Sequence, residues 1–143
     1  MSLSGKVAIV TGSSRGIGKA IALGLAMEGA IVVVAARSET QRPNAPGTIH
    51  ATAAEIEALG GKALAIRCNV REEESIRNLV RQTINTLGRV EVLVNNAGVG
   101  NYTPFLESTL KEWELVLDID LRAPFICCQA VVPAMIEQGG GSI

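Results

Sequence analysis

The residues with the most chemical content come early, in Thr11-Gly12-Ser13-Ser14-Arg15-Gly16-Ile17-Gly18, directly after the apolar run Val7-Ala8-Ile9-Val10. Glycines at this spacing, between a strand and a helix, make a cradle for a pyrophosphate. Gly12 permits the tight turn, Gly16 lets backbone approach phosphate, and Gly18 lets the helix pack on the sheet. The N–H groups that open the helix then face the anion. A tight turn with no ligand is the plain alternative, and the strand before it and the helix after it argue for the cradle.

The second informative position is the end of the next apolar run, Ile31–Ala36. An acidic residue there usually takes the ribose hydroxyls of NAD. Here the chain reads Ala35-Ala36-Arg37-Ser38, with no carboxylate before Glu39. Arg37 can clamp a 2′-phosphate, and Arg15 can approach the same group. NADP is therefore expected rather than NAD; two solvated arginines are the bland reading.

These residues need elements to hold them. Ile17, Ala20, Ile21 and Leu25 recur at helical spacing over 16–28, and Gly29 stops that helix. After Ile31–Ala36 a polar loop contains Pro43, Pro46 and Gly47; a helix over 53–59 closes at Gly60-Gly61. Residues 63–67 read as a third strand. Glu72-Glu73-Glu74 open a helix to Leu87, with Ile76, Leu79, Val80 and Ile84 as its buried face. Residues 90–94 form a fourth strand ending in Asn95-Asn96-Ala97-Gly98, and Thr109 and Glu112 have capping-box spacing for a long helix through Trp113, Leu117 and Leu121 toward Met135. Gly139-Gly140-Gly141 leads to Ser142-Ile143, the first residues of a fifth strand. The alternation predicts one α/β domain over 1–143, a Rossmann-type doubly wound parallel sheet in three layers, truncated after its fourth strand.

Composition narrows the function classes. The 143 residues carry a net charge of −1 with both signs interspersed, so neither nucleic acid nor an anionic membrane is indicated. No apolar run is long enough to span a membrane, and no signal peptide precedes Val7. Cys68, Cys127 and Cys128 have no metal or redox spacing and read as buried thiols in a reducing, cytoplasmic compartment. His50 is the only histidine, which leaves metal sites and histidine-based triads without material.

Thr11 to Gly18, Asn69-Val70, Asn95-Asn96-Ala97-Gly98 and the Trp113 helix, in this order, resemble the short-chain dehydrogenase/reductase family. The likeness covers essentially the whole chain. Pro46-Gly47-Thr48-Ile49-His50, followed by Ala53-Ala54-Glu55-Ile56, further resembles a hydroxysteroid dehydrogenase-like subgroup with a lengthened second-strand loop. The resemblance implies an oxidoreductase moving hydride between NADP(H) and a small carbonyl or alcohol substrate. It implies that Gly12, Ser14, Arg15, Gly16, Ile17 and Gly18 hold the cofactor phosphates and Arg37 the 2′-phosphate. Asn69 and Val70 then line the adenine pocket, and Asn96, Ala97 and Gly98 meet the nicotinamide-side ribose. The resemblance also implies a homo-oligomer, built through the helix over 109–135.

Two departures stand beside these matches. Asp120 occupies the family's catalytic asparagine position; it either holds a relay water or is a polar residue satisfied by packing. The family's serine and Tyr-x-x-x-Lys are absent from this chain: Tyr102 is the only tyrosine, and Leu106 stands four residues on. The sequence thus supplies the cofactor half of an oxidoreductase, or alternatively a non-catalytic nucleotide-binding or oligomer-interaction protein. Truncation predicts residues 90–94 as an apolar sheet edge.

Overall fold

Four strands form one parallel sheet in the order β3-β2-β1-β4: β1 (Val7–Thr11), β2 (Ile31–Ala36), β3 (Lys62–Arg67) and β4 (Val92–Val94). A computed structural model describes residues 2–143 of the chain. Helix α1 (Gly16–Met27) connects β1 to β2, α2 (Ile49–Ala58) connects β2 to β3, and α3 (Glu73–Leu87) connects β3 to β4. The chain moves outward from β1 through β2 to β3, then returns to lay β4 on the other side of β1. This reversal opens a crevice beyond the carboxyl ends of β1 and β4, the place where open α/β sheets bind ligands.

β1 shows why the sheet must be covered on both faces. Its five residues are all buried. Val7 and Ile9 pack with α3 residues Ile76, Leu79 and Val80 on one face, while Ala8 and Val10 pack with Ala22, Ala26 and Ile56 of α1 and α2 on the other. Strands apolar on both sides are the signature of a parallel sheet between helical layers. On α1 the buried residues are Gly18, Ala22 and Ala26, four apart, so the helix presents only small side chains and lies close to the strands.

The expected boundaries hold for β2 and nearly so for β1, β3, α1 and α3. Elsewhere the structure differs. α2 begins at Ile49 rather than Ala53, because the Thr48 hydroxyl accepts the Ala51 N–H at 3.0 Å and caps the helix one turn earlier. β4 covers three residues rather than five, because Val90 precedes the ladder. Its N–H and C=O are taken instead by the side-chain amide of Gln138.

The long helix over 109–135 is also modified. The Thr109–Glu112 capping box is present and starts α4 (Leu110–Leu117). A π-helical turn follows at Asp118–Arg122, closed by the Ala123 N–H on the Asp118 carbonyl, before α5 (Ala123–Glu137). Pro124 supplies the reason. It has no N–H to give the Asp120 carbonyl, and its ring would clash there in regular α geometry, so the turn widens.

Edge exposure at β4 is less than a cut after the fourth strand implies. Ser142 pairs with Val92 in parallel fashion, donating to the Glu91 carbonyl at 2.8 Å and accepting from the Leu93 N–H at 3.0 Å. The segment read as the start of a fifth strand therefore begins to cover that edge.

Glu91 has a structural task that its charge would not suggest. Glu91 is 9% exposed, and its carboxylate accepts the N–H of fully buried Val7 at 2.8 Å while pairing with Arg89. Glu91→Ala leaves that N–H without an acceptor, which costs about 1–3 kcal/mol. We expect the thermal midpoint, followed by circular dichroism, to fall by roughly 5 °C. Glu91→Gln, which keeps an acceptor oxygen, should lose less than half of that; equal losses would count against the hydrogen bond as the cause.

Candidate functional site

The glycine loop leaves β1 with Gly12 at φ +68° and enters α1 through Gly16 at φ +56°, backbone that side chains disfavour. Gly18 is needed for closeness rather than for torsion. A Cβ there would stand 2.5 Å from the Gly12 carbonyl oxygen. The first helical bond runs from the Lys19 N–H to the Arg15 carbonyl, so the Gly16, Ile17 and Gly18 N–H groups have no helical acceptor.

The other helix starts contrast with this one. α2 and α4 are capped by threonine hydroxyls, and α3 carries Glu73 and Glu74 in its first turn. α1 has neither a side-chain cap nor an acidic residue in its first turn. Its positive end is left for an external anion. Ser13 and Ser14, adjacent in sequence, do different work. The Ser13 hydroxyl donates to the Val10 carbonyl at 2.7 Å and accepts the Ala35 N–H at 3.0 Å, which fixes the loop to β2. Ser14 lines the cavity that the loop borders.

That cavity has a volume of about 320 Å³ and runs along the carboxyl ends of the strands. Gly12, Ser14 and Arg15 form one wall. Arg37 stands at the β2 end, Asn69 and Val70 beyond β3, and Asn96, Ala97 and Gly98 beyond β4. Every expected cofactor residue except Gly16, Ile17 and Gly18 borders this space. The exceptions belong to the helix start, where Ile17 is 76% exposed and its backbone is the relevant part. Among the described residues, no aspartate or glutamate lines the cavity. The Arg15 guanidinium donates to the Ser38 hydroxyl at 2.6 Å, which aims it toward the end of β2. Cys68 also lines the wall, but burial pushes its thiol up to about 11, so at neutral pH it is an uncharged surface and not a nucleophile.

The two asparagines after β4 act as ties. The Asn96 amide donates to the Thr11 carbonyl at 2.9 Å, and the Thr11 hydroxyl accepts the N–H groups of Asn96 and Ala97, each at 3.1 Å. The loops after β1 and β4 are thereby fastened to each other. The Asn95 amide reaches the Cys128 sulfur of α5 at 3.6 Å. Asn69 makes a turn of its own, its side chain bonding Glu72 at 2.6 Å and the Arg71 N–H at 3.3 Å. Asp120 projects from the π turn and accepts the Val99 N–H at 2.9 Å, near Gly98. A carboxylate, which only accepts, suits that N–H.

The sequence model of the short chain dehydrogenase family matches residues 6–143. The chain belongs to this family. Within it, the chain is 44% identical over 135 residues to the hydroxysteroid dehydrogenase-like protein 2 of Danio rerio, covering 94% of this chain and 32% of that protein. It is 42% identical over 142 residues to a 3-oxoacyl-[acyl-carrier-protein] reductase of Synechocystis, covering 99% of this chain and 55% of that one. A metagenomic short-chain oxidoreductase crystallised in complex with NADP superposes with a TM-score of 0.87 at 39% identity, over 99% of this chain and 61% of its own. The chain thus spans between about a third and three fifths of the length of these relatives.

Several short-chain dehydrogenase residues that border the site were not singled out by the sequence reading. Thr11 and Ser13 hold the loops through side-chain bonds to backbone, a role that no spacing reveals. Ile119 lines the cavity from the π turn that carries Asp120. Ser38, Arg42 and Ala45 line it from the polar loop after β2, whose prolines announce turns without giving the loop's direction.

Proposed function

We propose that this chain forms the NADP-binding domain, over residues 1–143, of an oxidoreductase that moves hydride between NADP(H) and a carbonyl or alcohol substrate. The observation that carries the reading is the uncapped start of α1 beside a carboxylate-free cavity holding Arg15 and Arg37. The N–H groups of Gly16, Ile17 and Gly18, with Gly12 and Ser14, receive the pyrophosphate. Arg37 and Arg15 receive the 2′-phosphate. Asn69 and Val70 border the adenine, and Ala97 and Gly98 the nicotinamide-side ribose. Asn96 serves that end by holding its loop, since its amide is committed to the Thr11 carbonyl.

The bound cofactor supplies the hydride. Asp120 lies toward the nicotinamide end and fixes the Val99 backbone there. The proton donor is not among these residues, because Tyr102 lacks the lysine partner four residues on. We expect the 143-residue chain to bind NADPH without oxidising it in the presence of carbonyl compounds, which also describes the non-catalytic alternative. Joining the chain to a segment carrying serine and Tyr-x-x-x-Lys separates the two readings.

The reading extends to assembly. Leu110, Trp113, Leu117, Leu121 and Phe125 follow one another three or four residues apart, and each is exposed. Ile136 continues the apolar surface on α5, whose opposite side packs on α3. A helix apolar on both sides needs cover on both sides, and we assign the outer cover to a second copy. A reducing, cytoplasmic setting suits the three free cysteines. Among the described residues no helix is long and apolar enough to cross a membrane.

Calorimetric titration of the wild-type chain with NADPH and NADH tests the cofactor assignment. NADPH should bind at least roughly ten-fold more tightly, the worth of one charge-assisted hydrogen bond. Equal affinities would remove the 2′-phosphate from the proposal, and binding of neither would remove the dinucleotide.

A further inference from the structure

Among the described residues, five of the nine arginines pair with carboxylates: Arg67 with Glu39, Arg77 with Glu73, Arg81 with Glu74, Arg89 with Glu91 and Arg122 with Asp118. The four without such a partner are Arg15, Arg37, Arg42 and Arg71. All four line the same cavity. Two of them, Arg15 and Arg37, sit where a glycine loop and a β2 end place them in any such fold. Arg42 arrives by a route that belongs to this chain's long loop.

The loop is built to bring it there. The Ile49 N–H donates to the Ser38 carbonyl at 2.9 Å and closes the loop's base. At its tip Arg42 and Ala45 bridge in antiparallel fashion, with the Ala45 N–H on the Arg42 carbonyl at 3.2 Å. On the return, Gly47 at φ +105° lies so close to the glycine loop that a Cβ would stand 2.4 Å from the Ser14 carbonyl oxygen. The loop therefore leans on the phosphate cradle. Its one carboxylate, Glu39, is drawn to Arg67 at 3.4 Å. Nothing acidic in the loop competes for Arg42.

We propose that Arg42 is a third cation for the 2′-phosphate of NADP, so that the long loop between β2 and α2 is a specificity-determining element and not a neutral insertion. The inference rests on the NADP reading above. A phosphate dianion offers more acceptor lone pairs than two guanidinium groups occupy, and a third fork adds charge-assisted bonds on the loop side.

The test uses adenosine 2′,5′-bisphosphate and 5′-AMP with the full chain, by calorimetry. Arg42→Ala should weaken the bisphosphate roughly ten-fold, a value at the low end for a charged hydrogen bond because the site is open to solvent. Its affinity for 5′-AMP should stay within about two-fold, while Arg42→Lys, which keeps the charge, should recover part of the loss. Unchanged bisphosphate affinity, or an equal loss on both ligands, overturns the role of Arg42 while leaving the cofactor reading standing. A wild-type chain that fails to prefer the bisphosphate overturns both.

Discussion

Gly18→Ala should lower the thermal midpoint by roughly 8 °C, whereas Gly24→Ala, six residues further along the same helix, should raise it by about 2 °C. The contrast follows from what the added methyl group meets. At Gly18 it would lie 2.3 Å from the Asn96 amide nitrogen, 2.5 Å from the Gly12 carbonyl oxygen and 2.9 Å from that carbonyl carbon. None of these can withdraw cheaply. The Gly12 carbonyl belongs to the turn that ends β1, and the Asn96 amide is held at 2.9 Å by the Thr11 carbonyl. Relief requires α1 to lift from the sheet, and overpacking of this kind costs about 3 kcal/mol. At Gly24 the methyl group meets nothing within 4 Å and removes the entropy penalty of a mid-helix glycine, worth about 0.8 kcal/mol.

Binding should follow the same division. The lifted helix start takes the Gly16 and Ile17 N–H groups with it, so Gly18→Ala should weaken NADPH by at least roughly ten-fold even below its unfolding temperature, while Gly24→Ala leaves affinity unchanged. Scanning calorimetry with and without NADPH measures both effects in one experiment. A Gly18→Ala midpoint within about 2 °C of wild type would mean that the helix can shift at little cost, and the close approach would lose its role.

These glycines also show how much of the fold is legible in the chain's sequence. The strand-glycine-helix order sets the glycine loop at the carboxyl end of β1, because unbroken apolar runs and helical spacing are local signals; the reversal of strand order after β3 is non-local and is expected only through the alternation of strands and helices that marks a doubly wound sheet. β2 was legible because Ile31 to Ala36 is an unbroken apolar run that Arg37 closes. Pro124 lay in plain view inside a stretch read as one long helix, yet the outcome was a widened turn and not a break. Which of these a proline produces depends on whether packing holds the helix together; here Ile119 within the turn and Ala123 directly after it are buried. Arg42 was hidden for a different reason. Its place depends on Gly47 resting against Ser14, a contact across 33 residues that no periodicity encodes.

Replacing Arg37 should change the chain's choice of dinucleotide more than any other single substitution. Arg37 is exposed at the end of β2, borders the cavity and has no carboxylate partner. Its removal should therefore leave the fold intact, with a thermal midpoint within about 2 °C of wild type, as surface changes usually do. Arg37→Ala takes away a fork that can bond two phosphate oxygens at once. The expected loss in NADPH affinity is roughly 30-fold, near 2 kcal/mol, with NADH changed by less than about three-fold. Arg37→Asp goes further, since it sets a carboxylate against the 2′-phosphate and offers the ribose hydroxyls of NADH an acceptor. It should invert the preference. The sign of the pH effect follows from the ligand: a phosphate monoester with a second pKa near 6 is a dianion at pH 7.5 and mostly a monoanion at pH 5.5. The wild-type preference for NADPH should thus shrink as pH falls through that range, and the Arg37→Ala chain, which has lost the main partner of the dianion, should show a flatter profile. Parallel losses of NADPH and NADH in Arg37→Ala would instead assign this arginine to the pyrophosphate that both cofactors share.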